Sequence, residues 1–194
     1  MTFNSKIKNI LKNYKEVILY VLKVFLLYLV TKLFFFTMGI EGLAIEKRVF
    51  PQVSIVWEAM NDFLRIVMLK GTYMVLLILG HKSEIINNYS IRTSGMGEVI
   101  IGNYCIGIQL WFYFAALIIP YEGSWRKKVP FILFGIICIN IINIFRFTRL
   151  MYISHYNPAL LNYAHEYVFN KIIYAFAVFM LYLWITRYSS TKKL

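Results

Sequence analysis

Long apolar runs constrain this chain more than any other feature of its sequence. A helix rises about 1.5 Å per residue, so about 20 largely apolar residues are needed to cross a hydrocarbon core roughly 30 Å thick. Four segments meet or approach that requirement: Val17–Met38 (with Lys23 and Lys32 inside it), Cys105–Tyr121, Val129–Phe145 and Tyr167–Ile185. The second and third are short and need a further turn from their flanks. A fifth stretch, Phe63–Gly80, is interrupted by Arg65 and Lys70 and follows Asn61 and Asp62. The expected fold class is all-α: a polytopic transmembrane helix bundle of about four spans.

Composition narrows the class. Sixty per cent of the 194 residues are apolar or aromatic and 15% are charged, with a mean hydropathy of +0.62. Soluble domains have roughly 45–50% apolar and about 25% charged residues. A disordered chain and a soluble enzyme are therefore excluded. Two cysteines exclude a secreted disulfide scaffold. The N-terminal run is too long for a signal peptide, contains lysines and lacks a small-x-small cleavage site, so it is expected to stay as an anchor.

The net charge of +12 invites a nucleic-acid reading, but the charges are distributed as topology determinants. Lys6, Lys8, Lys12 and Lys15 precede the first span. Arg126, Lys127 and Lys128 lie between the second and third, and Arg187, Lys192 and Lys193 follow the fourth. Region 37–104 is balanced, with six basic and six acidic residues. A nucleic-acid patch would instead form one contiguous face with interleaved aromatics. The three basic segments should share the cytoplasmic side of the cell membrane, with both termini inside. Nucleic acid is not an expected partner; anionic membrane lipid is.

That topology places both ends of 39–104 outside. Phe63–Gly80 then cannot cross once, and should lie in the outer interface as an amphipathic helix or enter and return. Trp57–Leu79 reads as helix. Ser90–Gly102 reads as a turn or short hairpin feeding the second span. Gly95-Met96-Gly97 is no phosphate loop. The whole is one membrane domain: an anchor (1–38), an extracytoplasmic or interfacial region (39–104), a three-helix core (105–185) and a cytoplasmic tail (186–194).

Ionisable residues at the membrane edge are expensive and point to function. With Trp125 as the tip of the inner turn, Cys105 lies 20 residues before it and Arg146 21 residues after. At about 1.5 Å per residue both reach the outer face. His165 lies 22 residues before Arg187, which marks the inner end of its span. Cys105, Arg146 and His165 thus come from three helices to one plane. Cys with His is the minimum for a thiol nucleophile and its base. A neighbouring guanidinium favours the thiolate and can hold an oxyanion.

Plainer readings exist for each residue. A cysteine in an apolar run is usually filler, which is the reading for Cys138, and its depth argues against a disulfide to Cys105. An arginine at a span end often binds headgroups. Asn140 with Arg149 gives a competing register, and His155 a competing base. His81 and Lys171 read as interfacial. Three scattered His and two separated Cys offer no metal-ligand spacing, and nothing calls for a cofactor. The last three spans hold no carboxylate, which disfavours a proton-coupled carrier. A non-enzymatic subunit or scaffold of an export or lipid-handling complex is the alternative to an enzyme.

Cys105-Ile106-Gly107 opens one span, Asn143-Ile144-Phe145-Arg146 closes the next, and His165 follows after a short loop with Pro158. This ordered set, within Glu98–Ile185, resembles the exosortase/archaeosortase family of integral-membrane cysteine transpeptidases. The resemblance implies Cys105 as nucleophile, Arg146 as stabiliser and His165 as general base or acid. Asn143 would orient Arg146 from one turn below, and Gly107 would permit close backbone approach. Many members carry Ser or Thr between Cys and Gly, where this chain has Ile106. The implied substrates are exported proteins with a C-terminal motif, a hydrophobic helix and a basic tail. They would be cleaved at the outer face through a thioester and passed to an acceptor that the sequence leaves unnamed. Abundant Ile, Lys and Asn suggest an AT-rich bacterial source.

Overall fold

No glycine or proline interrupts the first apolar run, and it folds as one helix, α1 (Phe3–Thr37). The computed structural model describes residues 3–37, 51–102 and 105–188. Met38, the 39–50 part of the outer region, and Lys192 and Lys193 of the basic tail lie outside them. Most side chains from Tyr14 to Thr37 are exposed, as befits a helix bathed in lipid. One stripe is held. Tyr20 Oη donates to the carbonyl of Leu117 at 2.9 Å, Tyr28 packs on Tyr113, and Phe34 and Phe35 meet Trp57 and Phe112.

The interrupted fifth stretch belongs to a continuous 28-residue helix, α2 (Pro51–Ile78), which starts six residues before the expected Trp57. Proline suits its first turn, where the missing N–H has no partner to lose. Gly80, at φ +84°, ends it: its N–H donates to Leu77 and that of His81 to Leu76. This is a Schellman ending, which needs the left-handed conformation that glycine adopts without cost. Trp57, Asn61, Arg65, Met68, Leu69, Thr72 and Leu76 are buried at helical spacing. That stripe explains a departure from expectation. Arg65, an interruption in the apolar run, is packed inside the protein and is 1% exposed, its Nη1 2.6 Å from Asp62 Oδ1 and its guanidinium 4.2 Å from the centre of the Tyr89 ring.

The expected hairpin forms, with one strand more. β1 (Ser83–Asn87), β2 (Ser90–Thr93) and β3 (Gly97–Ile100) make an antiparallel sheet in that order. Alternation of side chains sends Ile91 into the core and Arg92 outward. Arg92 lies opposite Glu98 and bonds it at 2.9 Å. The Ser90 hydroxyl and that guanidinium hold the Glu98 carboxyl below its ordinary range.

The second expected span is much shorter than its apolar run. The helix there, α3, covers only Ile108–Ile118. Eleven residues rise about 16 Å, half a bilayer core. Gly107 in left-handed conformation stops it at one end, and Pro120, which cannot donate a helix hydrogen bond, bars extension at the other. The third is longer than expected: α4 (Trp125–Tyr156) runs ten residues past Arg146. Phe147, Leu150 and Met151 keep it buried there against Ile91, Met96 and Ile101 of the sheet region. Lys128 Nζ donates to the carbonyl of Ile119 at 2.8 Å, so the first turn of α4 caps the end of α3.

The helix that carries the fourth expected span begins before Tyr167. Pro158–Leu160 turns the chain, and helix follows at once: Leu161–Tyr163 in α form, a π-helical turn over Ala164–Val168, α-helix over Phe169–Leu183 and a second π turn over Trp184–Tyr188. Among the described residues, three helices are long and apolar enough to cross a membrane: Tyr14–Thr37, Trp125–Tyr156 and Phe169–Tyr188. The chain is therefore a mostly helical, polytopic membrane protein with one small sheet. Its core has two parts. Phe114, Ile118, Phe131, Ile139, Met180 and Trp184 fill the end nearest the α3–α4 turn. The other part joins α2, the sheet and the far half of α4, and Cys105 packs against it.

Candidate active site

Cys105 adopts 3₁₀-helical conformation in the turn between β3 and α3, three residues ahead of the α-helix it is expected to open. Its N–H donates to the carbonyl of Gly102 at 3.0 Å. Two residues on, Gly107 (φ +86°) takes the N-cap position of α3. An L side chain there would cost about 1–2 kcal/mol from backbone conformation alone. Space forbids it as well, because the amide nitrogen of Asn143 lies where a Cβ would project. That amide donates to the carbonyl of Ile106 at 3.4 Å. Asn143 therefore clasps the Cys105–Gly107 turn, its amide bonding that turn instead of the expected partner Arg146. Ile106 itself is fully buried in the apolar core.

The other two residues arrive from two further elements. His165 lies in the π-helical turn of the C-terminal helix. Such turns widen the helix and displace side chains from the α register, often at functional sites. Its Nε2 is 3.3 Å from Cys105 Sγ, hydrogen-bonding distance for sulfur. Arg146, 6% exposed on α4, donates from Nη2 to the main-chain carbonyl of His165 at 3.4 Å. Its Nε is buried with no hydrogen-bond partner. The three residues that depth arithmetic places in one plane are thus brought together: thiol on imidazole, guanidinium on the histidine backbone.

The competing residues lie elsewhere. Arg149 is exposed, whereas Arg146 three residues before it is buried. Asn140 is half-buried, with a buried Oδ1 that has no partner. His155 is exposed and packs edge-on against Tyr156. His81 bonds the hydroxyl of Tyr152 and so ties the end of α2 to α4. Lys171 is exposed. Cys105 and Cys138 are both free thiols. Among the described residues no group of His, Cys, Asp and Glu is arranged to hold a metal ion.

Sequence reasoning missed that Arg65 is buried. The signal available was Asp62 three residues earlier on the same helix, the spacing at which an ion pair closes. Chemically, the site offers a thiol in contact with an imidazole able to exchange its proton, and a buried guanidinium with an unused donor beside them.

The chain matches the family model of transmembrane exosortases over residues 17–189. The match takes in α1 from Val17 onward and the outer region, beyond the Glu98–Ile185 stretch that carries the motifs. No curated protein and no solved structure matches it.

Proposed function

The chain belongs to the transmembrane exosortase family, and from that premise we propose that it is a membrane-embedded thiol transpeptidase or protease. It cleaves the C-terminal sorting signals of exported proteins and passes them to an acceptor. The observation that carries this reading is the 3.3 Å contact between Cys105 Sγ and His165 Nε2, made from two separate elements.

In the proposed cycle His165 takes the Cys105 proton, and the thiolate attacks the scissile carbonyl carbon, forming a C–S bond. Negative charge develops on the carbonyl oxygen, where a buried guanidinium donor is worth far more than in water. Arg146 supplies that donor while another of its nitrogens holds the His165 backbone. The C–N bond then breaks, and the leaving amine takes its proton from His165. The thioester is attacked by the acceptor or by water, the attacking group giving its proton to His165 and Cys105 leaving as the thiol. A substrate anchored by its own hydrophobic helix reacts within the membrane, where confinement replaces much of the entropy cost of encounter. The site faces outward from the cell membrane in this reading, with the basic segments inside.

The test compares the native host with a Cys105→Ala strain at equal levels of inserted enzyme. Mass spectrometry of membrane-anchored surface proteins should show a defined set that keeps its hydrophobic C-terminal tail only in the mutant. Unchanged processing would overturn the reading and leave a non-enzymatic subunit in its place.

A further inference from the structure

The sheet order β1-β2-β3 leaves one side of Gly97–Ile100 with no strand beside it among the described residues. Which main-chain groups face that side follows from the ladder. The N–H of Ile101 donates to Tyr89 O at 2.7 Å, towards the β2 side. In an antiparallel pair, alternate residues point their N–H and C=O to the same neighbour. Val99 and Ile101 therefore address β2, and Glu98 and Ile100 address the open side. Both are exposed, and Ile100 leaves 70% of a large apolar side chain uncovered.

Natural sheets blunt such edges with bulges, prolines or charges. The opposite edge follows the rule: β1 carries a register irregularity between Ile85 and Asn87 and an unshielded Glu84. β3 does not. All four of its pairs with β2 are regular, and its one charged side chain, Glu98, is bonded across the face to Arg92. An open, regular edge is a template for an added strand. This one runs, five residues beyond Ile100, into the turn that carries Cys105.

Resting on the thiol-transpeptidase reading above, we infer that the open edge of β3 takes up the substrate by strand addition. An extended segment of the substrate polypeptide, flanking its scissile bond, pairs with the main chain of Glu98 and Ile100 and is thereby delivered to Cys105. Main-chain pairing binds an extended segment whatever its side chains, while Ile100 favours an apolar residue beside it. The segment must be unstructured before it binds, so a helix that continued unbroken up to the scissile bond would be a poor substrate.

Proline tests this cleanly, because it deletes one N–H. In Ile100→Pro the deleted group faces the open side, so the β2 ladder stays intact. Ile85→Pro is the control. Ser94 N–H donates to Lys82 O, and alternation from that pair turns Ile85 outward on the other edge. The probe is a host surface protein that accumulates uncleaved in the Cys105→Ala strain, presented to the purified full chain in lipid. Ile100→Pro is expected to raise KM about tenfold, the worth of one or two main-chain hydrogen bonds, with alkylation of Cys105 unchanged. Ile85→Pro should change neither. A wild-type KM in Ile100→Pro, with processing lost in Cys105→Ala, overturns strand addition alone. Processing retained in Cys105→Ala overturns both readings. Should Ile100→Pro fail to fold, Ile100→Cys in the Cys105→Ala background is oxidised against substrates carrying single cysteines around the cleavage point. Cross-linking at every second substrate position supports the inference, and any other pattern, or none, overturns it.

Discussion

Cys105 Sγ and His165 Nε2 lie 3.3 Å apart although sixty residues separate them in the chain. The thiol enters from a turn and the imidazole from a helix, so neither fixes the other locally. Replacing His165 with Ala should lower turnover by about 10²–10⁴-fold, the range for loss of a positioned base. The amount of inserted enzyme should not change. Alkylation of Cys105 by iodoacetamide should slow at neutral pH and recover as pH rises, because a thiol without its base depends on solvent to ionise. Wild-type alkylation and turnover in His165→Ala would remove the imidazole from the mechanism.

Arg146 gives one nitrogen to the His165 carbonyl and keeps a buried Nε without a partner. Lysine offers a point charge in place of a planar fork and cannot do both. Arg146→Lys should therefore lose about 100-fold in turnover, the usual cost of one oxyanion donor. Arg146→Met should lose at least as much. If Arg146→Lys keeps wild-type turnover, the residue contributes only charge, and the two-handed arrangement has no role.

Much of this site was legible from sequence because one arithmetic governs helices that stand side by side. Counting from the Trp125 turn for Cys105 and Arg146, and from Arg187 for His165, brings the three to one level, and they meet, although only eleven of the twenty residues counted to Cys105 lie in α3. The elements themselves were less legible. Apolar content could not reveal that α3 stops at Ile118 or that α4 continues to Tyr156. Hydropathy measures what lipid and a packed core both accept, and the far half of α4 is buried by the sheet, not by membrane alone. Arg65 misled for a related reason. A charge in an apolar run reads as a surface marker, but Asp62 and Tyr89 let the guanidinium be buried. The π turn at His165 carries no composition signal at all.

Gly107 and Asn143 form a pair whose coupling can be measured. Gly107→Ala adds a methyl where the Asn143 amide lies and forces an L residue to φ +86°. The backbone part costs about 1–2 kcal/mol. The overlap should add to it and push the Cys105 turn away from His165. Thermal unfolding in detergent should fall, and Cys105 alkylation at neutral pH should slow. Shortening the second side chain in Gly107→Ala/Asn143→Ala removes the overlap but not the backbone strain, so part of the loss should return. Strict additivity of the two single changes would show that the clasp does not exist.

Asp62 and Arg65 are unequal partners, and the inequality predicts an order of stabilities. The Arg65 side chain is 2% exposed and that of Asp62 is 47% exposed. Removing the arginine leaves a carboxylate that water can reach. Removing the aspartate takes one partner from a guanidinium deep in the protein, which the Tyr89 ring and its other contacts still hold. A buried charge stripped of a partner is costly, whereas an apolar replacement of similar length keeps the packing. Asp62→Ala should therefore destabilise the protein by about 1–3 kcal/mol, the cost of a buried donor that loses its acceptor, and Arg65→Met by less. Unfolding of both variants in the same detergent gives the comparison. Greater loss in Arg65→Met would mean that the guanidinium's contacts with Tyr89 and its surroundings outweigh the ion pair.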